Sequence, residues 1–283
     1  MNVMESFACR TKLNKKTRLE YLEVENWQIL HLEEPVLLVR FAALLMQSIW
    51  SGESTGSVYS HGQTAHYGRM PPSIFRNAAP GTVERLRAAE MALAKTVREA
   101  FHQKRFLRPD LPALLQHYGL KTTWLDVVDN LWISVWFATH QFVPHDVERK
   151  VRVAGSTSEY RWIYFVRTGT MGGNSLRVVD LRRQHHSFSV RPHVQHGVSV
   201  HAPNLVDLSD FVLATVRFPN DHKWTLEGHM FDPGVLFPPR RLDDTLNRLA
   251  DPKLKLATDI VEQKYGLMPG ALGNVSEILG AAS

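Results

Sequence analysis

The chain has 283 residues and a formal charge of +5, with 44% hydrophobic and 22% charged residues. That is an ordinary globular balance, long enough for one large domain or for a domain with an appendage. The single cysteine, Cys9, excludes a disulfide within the chain and a thiolate zinc cluster. The mild positive charge admits a nucleotide or nucleic acid as partner without requiring either. Apolar runs are short and interrupted, so no transmembrane helix and no membrane partner are expected. The N-terminus lacks the apolar stretch of a signal peptide, which makes cytoplasmic residence the default expectation.

In chain order, residues 1–34 are charged and mixed, and Trp27, Ile29 and Leu32 alternate as in a strand. Pro35 restarts the chain. Val36 to Trp50 is apolar almost throughout and reads as a buried helix with Pro35 in its first turn. Leu37, Phe41, Leu44, Leu45 and Ile49 fall on one broad face of it. Residues 1–52 are therefore expected to form a strand-and-helix packing region. Ser51 to Ser57 reads as a loop. Val58 to Gln63, VYSHGQ, reads as a strand ending in His61-Gly62. There a glycine would let a ribose or phosphate approach the backbone beside an imidazole, although a lone histidine serves equally well as a structural group. Arg76, closing MPPSIFR, is either a surface charge or a clamp for a phosphate or carboxylate. Thr82 to Phe106 has helical periodicity. Arg85, Arg87, Glu90, Lys95, Arg98 and Glu99 are placed on its wet side, and Leu86, Met91, Leu93, Val97 and Phe101 on its packed side.

Gln116 to His140, QHYGLKTTWLDVVDNLWISVWFATH, is the central stretch. Thr122 to Leu125 reads as a short strand and Asp126 to Asn130 as a polar interruption. Asn130 is expected to cap a helix that is apolar on most sides and hence buried. His117 and Tyr118 stand beside the Gly119 turn, where they either line a pocket or satisfy backbone groups. Beyond it, 140–157 is loop-like and RWIYFVR (161–167) is a strand. TGTMGGN (168–174) lacks the Lys-Ser/Thr of a phosphate-binding loop and reads as a turn. Val194, Val198 and Val200 suggest short strands around Gln195-His196-Gly197. Five histidines lie between His185 and His201, but nothing in their spacing gathers them, and no metal is expected. Phe211 to Phe218 reads as a strand, and Lys253 to Tyr265 as an amphipathic helix stopped by Gly266, within a C-terminal helix and tail at 251–283. The whole predicts an α+β fold, a single mixed-sheet domain with flanking helices.

The central stretch resembles the signature of the FRG domain family, Q-H-Y-G-hydrophobic-x-T-x-L-L-D followed by a helix ending in F-A. Ser60-His61-Gly62-Gln63 falls on the family's F-R-G triplet and the Gln after it, with Ser in place of Phe and His in place of Arg. Arg76 falls in P-S-hydrophobic-x-R. Arg191, Gln195 and Gly197 fall on R-x-x-x-Q-x-G, and 233–246 on L-F-P-x-L-D with one extra residue. These segments keep the family order and imply an FRG-like domain over 53–250. Their order also resembles, remotely, the ADP-ribosyltransferase fold. In that resemblance His61-Gly62 is the nicotinamide-ribose clamp, Thr123 and the helix from Asn130 the middle motif, and Gln195 the third. It implies an enzyme with NAD as substrate, an ADP-ribosyltransferase or NAD glycohydrolase that cleaves the nicotinamide N-glycosidic bond, with protein, nucleic acid or water as acceptor. The catalytic residues so implied are His61, Tyr118, Gln195 and Asp126. Gln195 cannot ionise, so Asp126 is either the missing carboxylate or a turn cap. The implied NAD-binding residues are His61, Gly62, Gln63, Arg76, His117, Tyr118 and Thr123. The alternative is a non-catalytic module for a nucleotide, nucleic acid or protein, with Arg182, Arg183 and Arg191 as its cationic groups. Convergence of His61, Tyr118 and Gln195 on one cleft would favour the first; a shared arginine face would favour the second.

Overall fold

Runs of β-branched and aromatic residues form the strands, and two strongly apolar runs form the helices packed closest to them. The computed structural model describes residues 7, 17–22, 27–50, 56–101, 110–142, 151–153, 158–171, 174–185, 187–224, 226, 228 and 231–273. The elements begin with β1 (Thr17–Leu22), β2 (Trp27–Leu32), α1 (Pro35–Trp50), β3 (Val58–Gln63), α2 (Val83–Phe101) and α3 (Leu111–His117). They continue through β4 (Leu125–Val128), α4 (Leu131–Thr139), β5 (His140–Phe142), β6 (Val151–Val153), β7 (Tyr160–Arg167), β8 (Thr170–Met171), β9 (Asn174–Ser175) and β10 (Arg177–Asp180). The last are α5 (Leu181–Gln184), α6 (Val190–Val194), β11 (Gly197–His201), β12 (Val212–Pro219), α7 (Pro233–Leu236), α8 (Asp244–Leu249) and α9 (Pro252–Lys264). No helix among the described residues is long and apolar enough to cross a membrane.

Eight strands form one mixed sheet in the order β1-β2-β12-β7-β3-β4-β11-β10. The β2–β12 pair is parallel and the other described pairs are antiparallel. The two-residue period of β7 divides its apolar side chains between two cores. Ile163 and Phe165 join Leu30, Leu32, Val216 and Phe218 beneath α1 and α4. Trp162, Tyr164 and Val166 join Leu125, Val127, Val198 and Val200 on the opposite face. A third cluster holds α2, α3, α8 and α9 together through Leu86, Leu93, Val97, Leu114, Leu115, Tyr118, Leu249 and Leu254. The N-terminal strand and helix thus enter the sheet and its core. The C-terminal helix packs on α2 and stops at Gly266, whose φ is +60°.

Several local expectations are corrected. The strand expected at 122–125 starts at Leu125, because the threonines before it bond to side chains instead of a neighbouring strand. Gln116 Oε1 accepts from Thr122 N and Oγ1 (both 3.2 Å), and Glu90 Oε1 accepts from Thr123 N and Oγ1 (both 3.1 Å). Asp126, expected in a polar interruption, therefore lies in β4. Val194, expected in a strand, is the last residue of α6, and the turn into β11 is made by His196 at φ 53°. On α2, Glu90 points inward at 7% exposure and Met91 outward at 73%, the reverse of their expected sides. The Thr123 bonds account for the carboxylate. Part of 51–57, 140–157 and 168–174, and the end of the helix expected to reach Phe106, lie outside the described residues.

Burial raises the Glu90 carboxyl from 4.5 to about 7, with the Thr123 bonds and Arg87 opposing the shift. A carboxyl whose pKa is raised on folding binds more protons folded than unfolded between those two values. Its contribution is therefore fully present below about 4.5 and is lost as pH rises to about 7. We expect stability relative to a Glu90→Gln variant to fall by roughly 3 kcal/mol across that window, at 1.36 kcal/mol per pK unit. Urea denaturation of both proteins at either end of the window measures it, and parallel pH profiles would contradict it.

Candidate functional site

β3 and β4 share a single register pair, Ser60↔Val128, and separate beyond it. The His61 ring fills the opening. Its Nδ1 lies 2.7 Å from the Asp126 carbonyl oxygen, which can only accept, so Nδ1 carries the proton. Nε2 then accepts from the Gln63 amide nitrogen at 3.2 Å. Burial and, after it, the charge of Arg76 lower the His61 pKa to about 4, against the opposing bond to Asp126. At neutral pH His61 is thus a neutral imidazole of fixed tautomer. Gly62 does not open the strand to a ligand as its sequence position suggests. A Cβ there would stand 1.9 Å from the Ser134 carbonyl oxygen, so the glycine admits α4 against the sheet. Asn130 caps that helix as its position predicts, accepting from Trp132 N and Ile133 N.

Asp126 projects from β4 toward the face covered by α3. Ser199, its register partner on β11, donates to Oδ1 at 2.9 Å. His117 Nδ1 lies 3.7 Å from the same oxygen. The His117 ring occupies a notch over Gly197, where an added Cβ would come within 2.7 Å of Cε1, and its buried Nε2 has no partner. The Asp126 side chain keeps 32% exposure while that of His117 has 4%, so the carboxylate is the accessible member of the pair. Arg76 reaches solvent, yet partial burial of its guanidinium lowers its pKa against the charges of Tyr67 and Asp126, and its own charge acts on His61.

The rest of the central signature faces away. Gln116 accepts from Ser73 Oγ at 2.6 Å and ties the segment before α2 to the turn before β4. Gly119 makes the turn after α3 at φ 100°. Thr123 is held by Glu90 and is 6% exposed, so it is not a lining residue. Tyr118 is 1% exposed and donates its hydroxyl to Asp243, with Oδ1 at 2.9 Å and Oδ2 at 2.8 Å. Burial and then the Asp243 charge push its pKa well above the usual tyrosine value. Gln195 is 2% exposed and donates from Nε2 to the Leu236 carbonyl at 2.6 Å. The expected cleft bounded by His61, Tyr118 and Gln195 is therefore not formed: the last two are used up inside the core. A Gln195→Glu variant would set a carboxylate against that carbonyl. We expect a loss of about 2–4 kcal/mol in a denaturation curve, and no gain in glycosidic cleavage.

The arginine face also fails to form. Arg182 is chelated by Asp180 and Asp129, with Nη2 at 2.9 and 2.7 Å from their oxygens, which raises its pKa further. Arg183 is exposed beside Asp180. Arg191 is buried between the Tyr118 and Phe237 rings, 4.9 and 5.2 Å from their centroids. His196 bonds Asp129 at 3.0 Å and His201 stacks on Trp124 at 4.9 Å, so these histidines are spread over separate partners. Among the described residues no group of three or more His, Cys, Asp or Glu could hold a metal. Ser199, Glu90 and Asp243 carry no individual signal of function in the sequence. Ser199 could have been found only from the register that pairs it with Asp126. Asp243 fits an N-cap pattern before α8 and does accept from Leu246 N.

Comparison with known families matches residues 57–146 to the FRG domain. That span contains β3, Arg76 and the central signature with His117 and Asp126; Gly197 and Ser199 lie beyond it. No curated protein and no solved structure matches the chain.

Proposed function

We propose that the chain binds NAD at the Asp126 cluster and cleaves its nicotinamide N-glycosidic bond, as an ADP-ribosyltransferase or NAD glycohydrolase. The observation that carries this reading is the carboxylate of Asp126, held by Ser199 yet still open to solvent, beside a neutral histidine and an exposed arginine. Breaking the bond leaves positive charge on the ribose C1′ as nicotinamide departs with the bonding electrons. A fixed carboxylate stabilises that charge, or takes the proton of the attacking hydroxyl or water. His61, uncharged, does not repel the developing cation, and it holds the β3–β4 opening apart. Arg76 offers a guanidinium fork to the pyrophosphate. In this assignment Asp126 replaces Gln195 as the polar group of the reaction, while Tyr118 and Thr123 support the site without touching substrate.

Calorimetric titration with NAD tests the binding half. Heat of binding is expected from the full chain. Arg76→Ala, a change at an exposed residue, should weaken it by about 10-fold or more, the worth of one charge-assisted bond. A folded protein that gives no heat, or an Arg76→Ala variant that binds equally well, would remove NAD from this cluster.

A further inference from the structure

Two donors converge on one oxygen of Asp126. Ser199 Oγ donates to Oδ1 at 2.9 Å, and His117 Nδ1 stands 3.7 Å from the same atom, an electrostatic contact longer than a hydrogen bond. An ionised carboxylate only accepts, so the nitrogen facing it carries the proton and Nε2 is the bare lone pair. Nε2 is buried without a hydrogen-bond partner. That tautomer is also the less costly one, since an unpaired acceptor is better tolerated in a core than an orphaned N–H. Among the described residues Oδ2 accepts no hydrogen bond, and the Asp126 side chain keeps 32% exposure.

The imidazole has little room to leave Oδ1. A Cβ on Gly197 would stand 2.7 Å from Cε1, 3.1 Å from Nε2 and 3.3 Å from Nδ1, so three ring atoms rest in the notch that the glycine leaves. Both neighbours in sequence are tied down, Gln116 by Ser73 Oγ at 2.6 Å and Tyr118 by Asp243 at 2.9 Å. Arg191 Nη1 lies 3.5 Å from the His117 carbonyl. Ser199 is fully buried on β11, as the register partner of Asp126 on β4. Both donors are therefore set in place before any ligand arrives.

We propose that His117 and Ser199 are positioning residues, which hold Asp126 by Oδ1 and leave Oδ2 as the single oxygen presented to the substrate. This role rests on the glycosidic-cleavage reading of Asp126. It takes His117, whose side chain is only 4% exposed, out of the NAD-contacting set that the family resemblance implies. A carboxylate free to rotate offers either oxygen, at a changing distance from the ribose C1′. One held by Oδ1 keeps the other in place, and both charge stabilisation and proton transfer depend on that fixed geometry. Oδ2 takes the proton of the attacking hydroxyl or water as the new O–C1′ bond forms. The C1′–N bond breaks with its electron pair going to nicotinamide, which leaves neutral. His117 and Ser199 keep their own protons throughout.

Steady-state nicotinamide release from NAD by four variants of the full chain tests the role. His117→Leu and Ser199→Ala should each lower kcat by about 10-fold, the worth of one bond to a charged group, with KM little changed. His117→Asn, whose amide nitrogen takes the place of Nδ1, should recover most of that loss. Gly197→Ala keeps both donors but displaces the ring, and should lower kcat as His117→Leu does. Leu and Asn variants of equal kcat would overturn the proposal, and so would a rise in KM at unchanged kcat, which would make His117 a substrate contact. A second measurement needs neither turnover nor a variant that folds. Nitrogen-15 NMR of the ligand-free parent under mildly alkaline conditions, with the His117 ring assigned through its own backbone, should show Nδ1 protonated and Nε2 bare. The opposite tautomer would overturn the hold on Oδ1 whatever NAD does. The expected tautomer in a parent that releases no nicotinamide would defeat the cleavage reading and leave the hold standing, so the two failures are told apart.

Discussion

Replacing Asp243 by Ala should destabilise the protein by about 3–5 kcal/mol, the cost of breaking a buried charge network from one side. Asp243 is fully buried and accepts from the Tyr118 hydroxyl, from Arg191 N and from Leu246 N. Its charge also faces that of Arg191, a buried arginine whose Nε and Nη2 have no hydrogen-bond partner and which is otherwise met by the His117 carbonyl at 3.5 Å from Nη1, by the charge of Asp126 and by the two aromatic rings. Removing the carboxylate leaves that cation unbalanced, two donors unsatisfied and α8 uncapped. Tyr118→Phe removes only one hydroxyl and should cost about 1 kcal/mol. Urea denaturation of the two variants separates these cases. An Asp243→Ala loss below that of Tyr118→Phe would show that Arg191 does not depend on Asp243.

Asp126→Asn should lower the rate of nicotinamide release by about 10²–10⁴-fold, the usual worth of a positioned acid–base group. The substitution leaves a carbonyl oxygen where Ser199 Oγ donates at 2.9 Å, and the side chain is partly exposed, so the fold should survive. Only the negative charge and the proton-accepting capacity go. NAD binding, carried by Arg76 in this account, should change far less than the rate. A variant that releases nicotinamide at the parent rate would take Asp126 out of the chemistry. One that loses binding and rate together would make it a binding group.

The strands were the most legible part of the fold. VYSHGQ and RWIYFVR are short runs whose alternation between two faces needs no knowledge of their neighbours, and both are strands as expected. The helix from Leu131 was equally plain, because Asn130 followed by an apolar run states both its cap and its burial. The site was half legible. His61 and Asp126 were named from the sequence and lie together; Tyr118 and Gln195 were named with them and do not. His117 and Tyr118 are neighbours at a helix end, so their side chains diverge by about 100°, and one meets Asp126 while the other meets Asp243. Nothing local decides which of two adjacent polar aromatics faces the site. Gln195 rested on the R-x-x-x-Q-x-G resemblance and on short strands expected around it, whereas a helix and the His196 turn precede β11 and Gln195 is 2% exposed. Glu90 was misplaced because helical periodicity treats a carboxylate as a solvated group, and its burial follows from Thr123, more than thirty positions away.

The claim that Asp126 and its neighbours form a glycosidic-cleavage site rests most directly on one measurement: nicotinamide released from millimolar NAD by the full chain. It is made with water alone and with added protein and single-stranded RNA as acceptors. Time-dependent release in proportion to enzyme is expected, together with free ADP-ribose in water or its transfer to an acceptor. Folded protein that releases no nicotinamide under any of these conditions would contradict it.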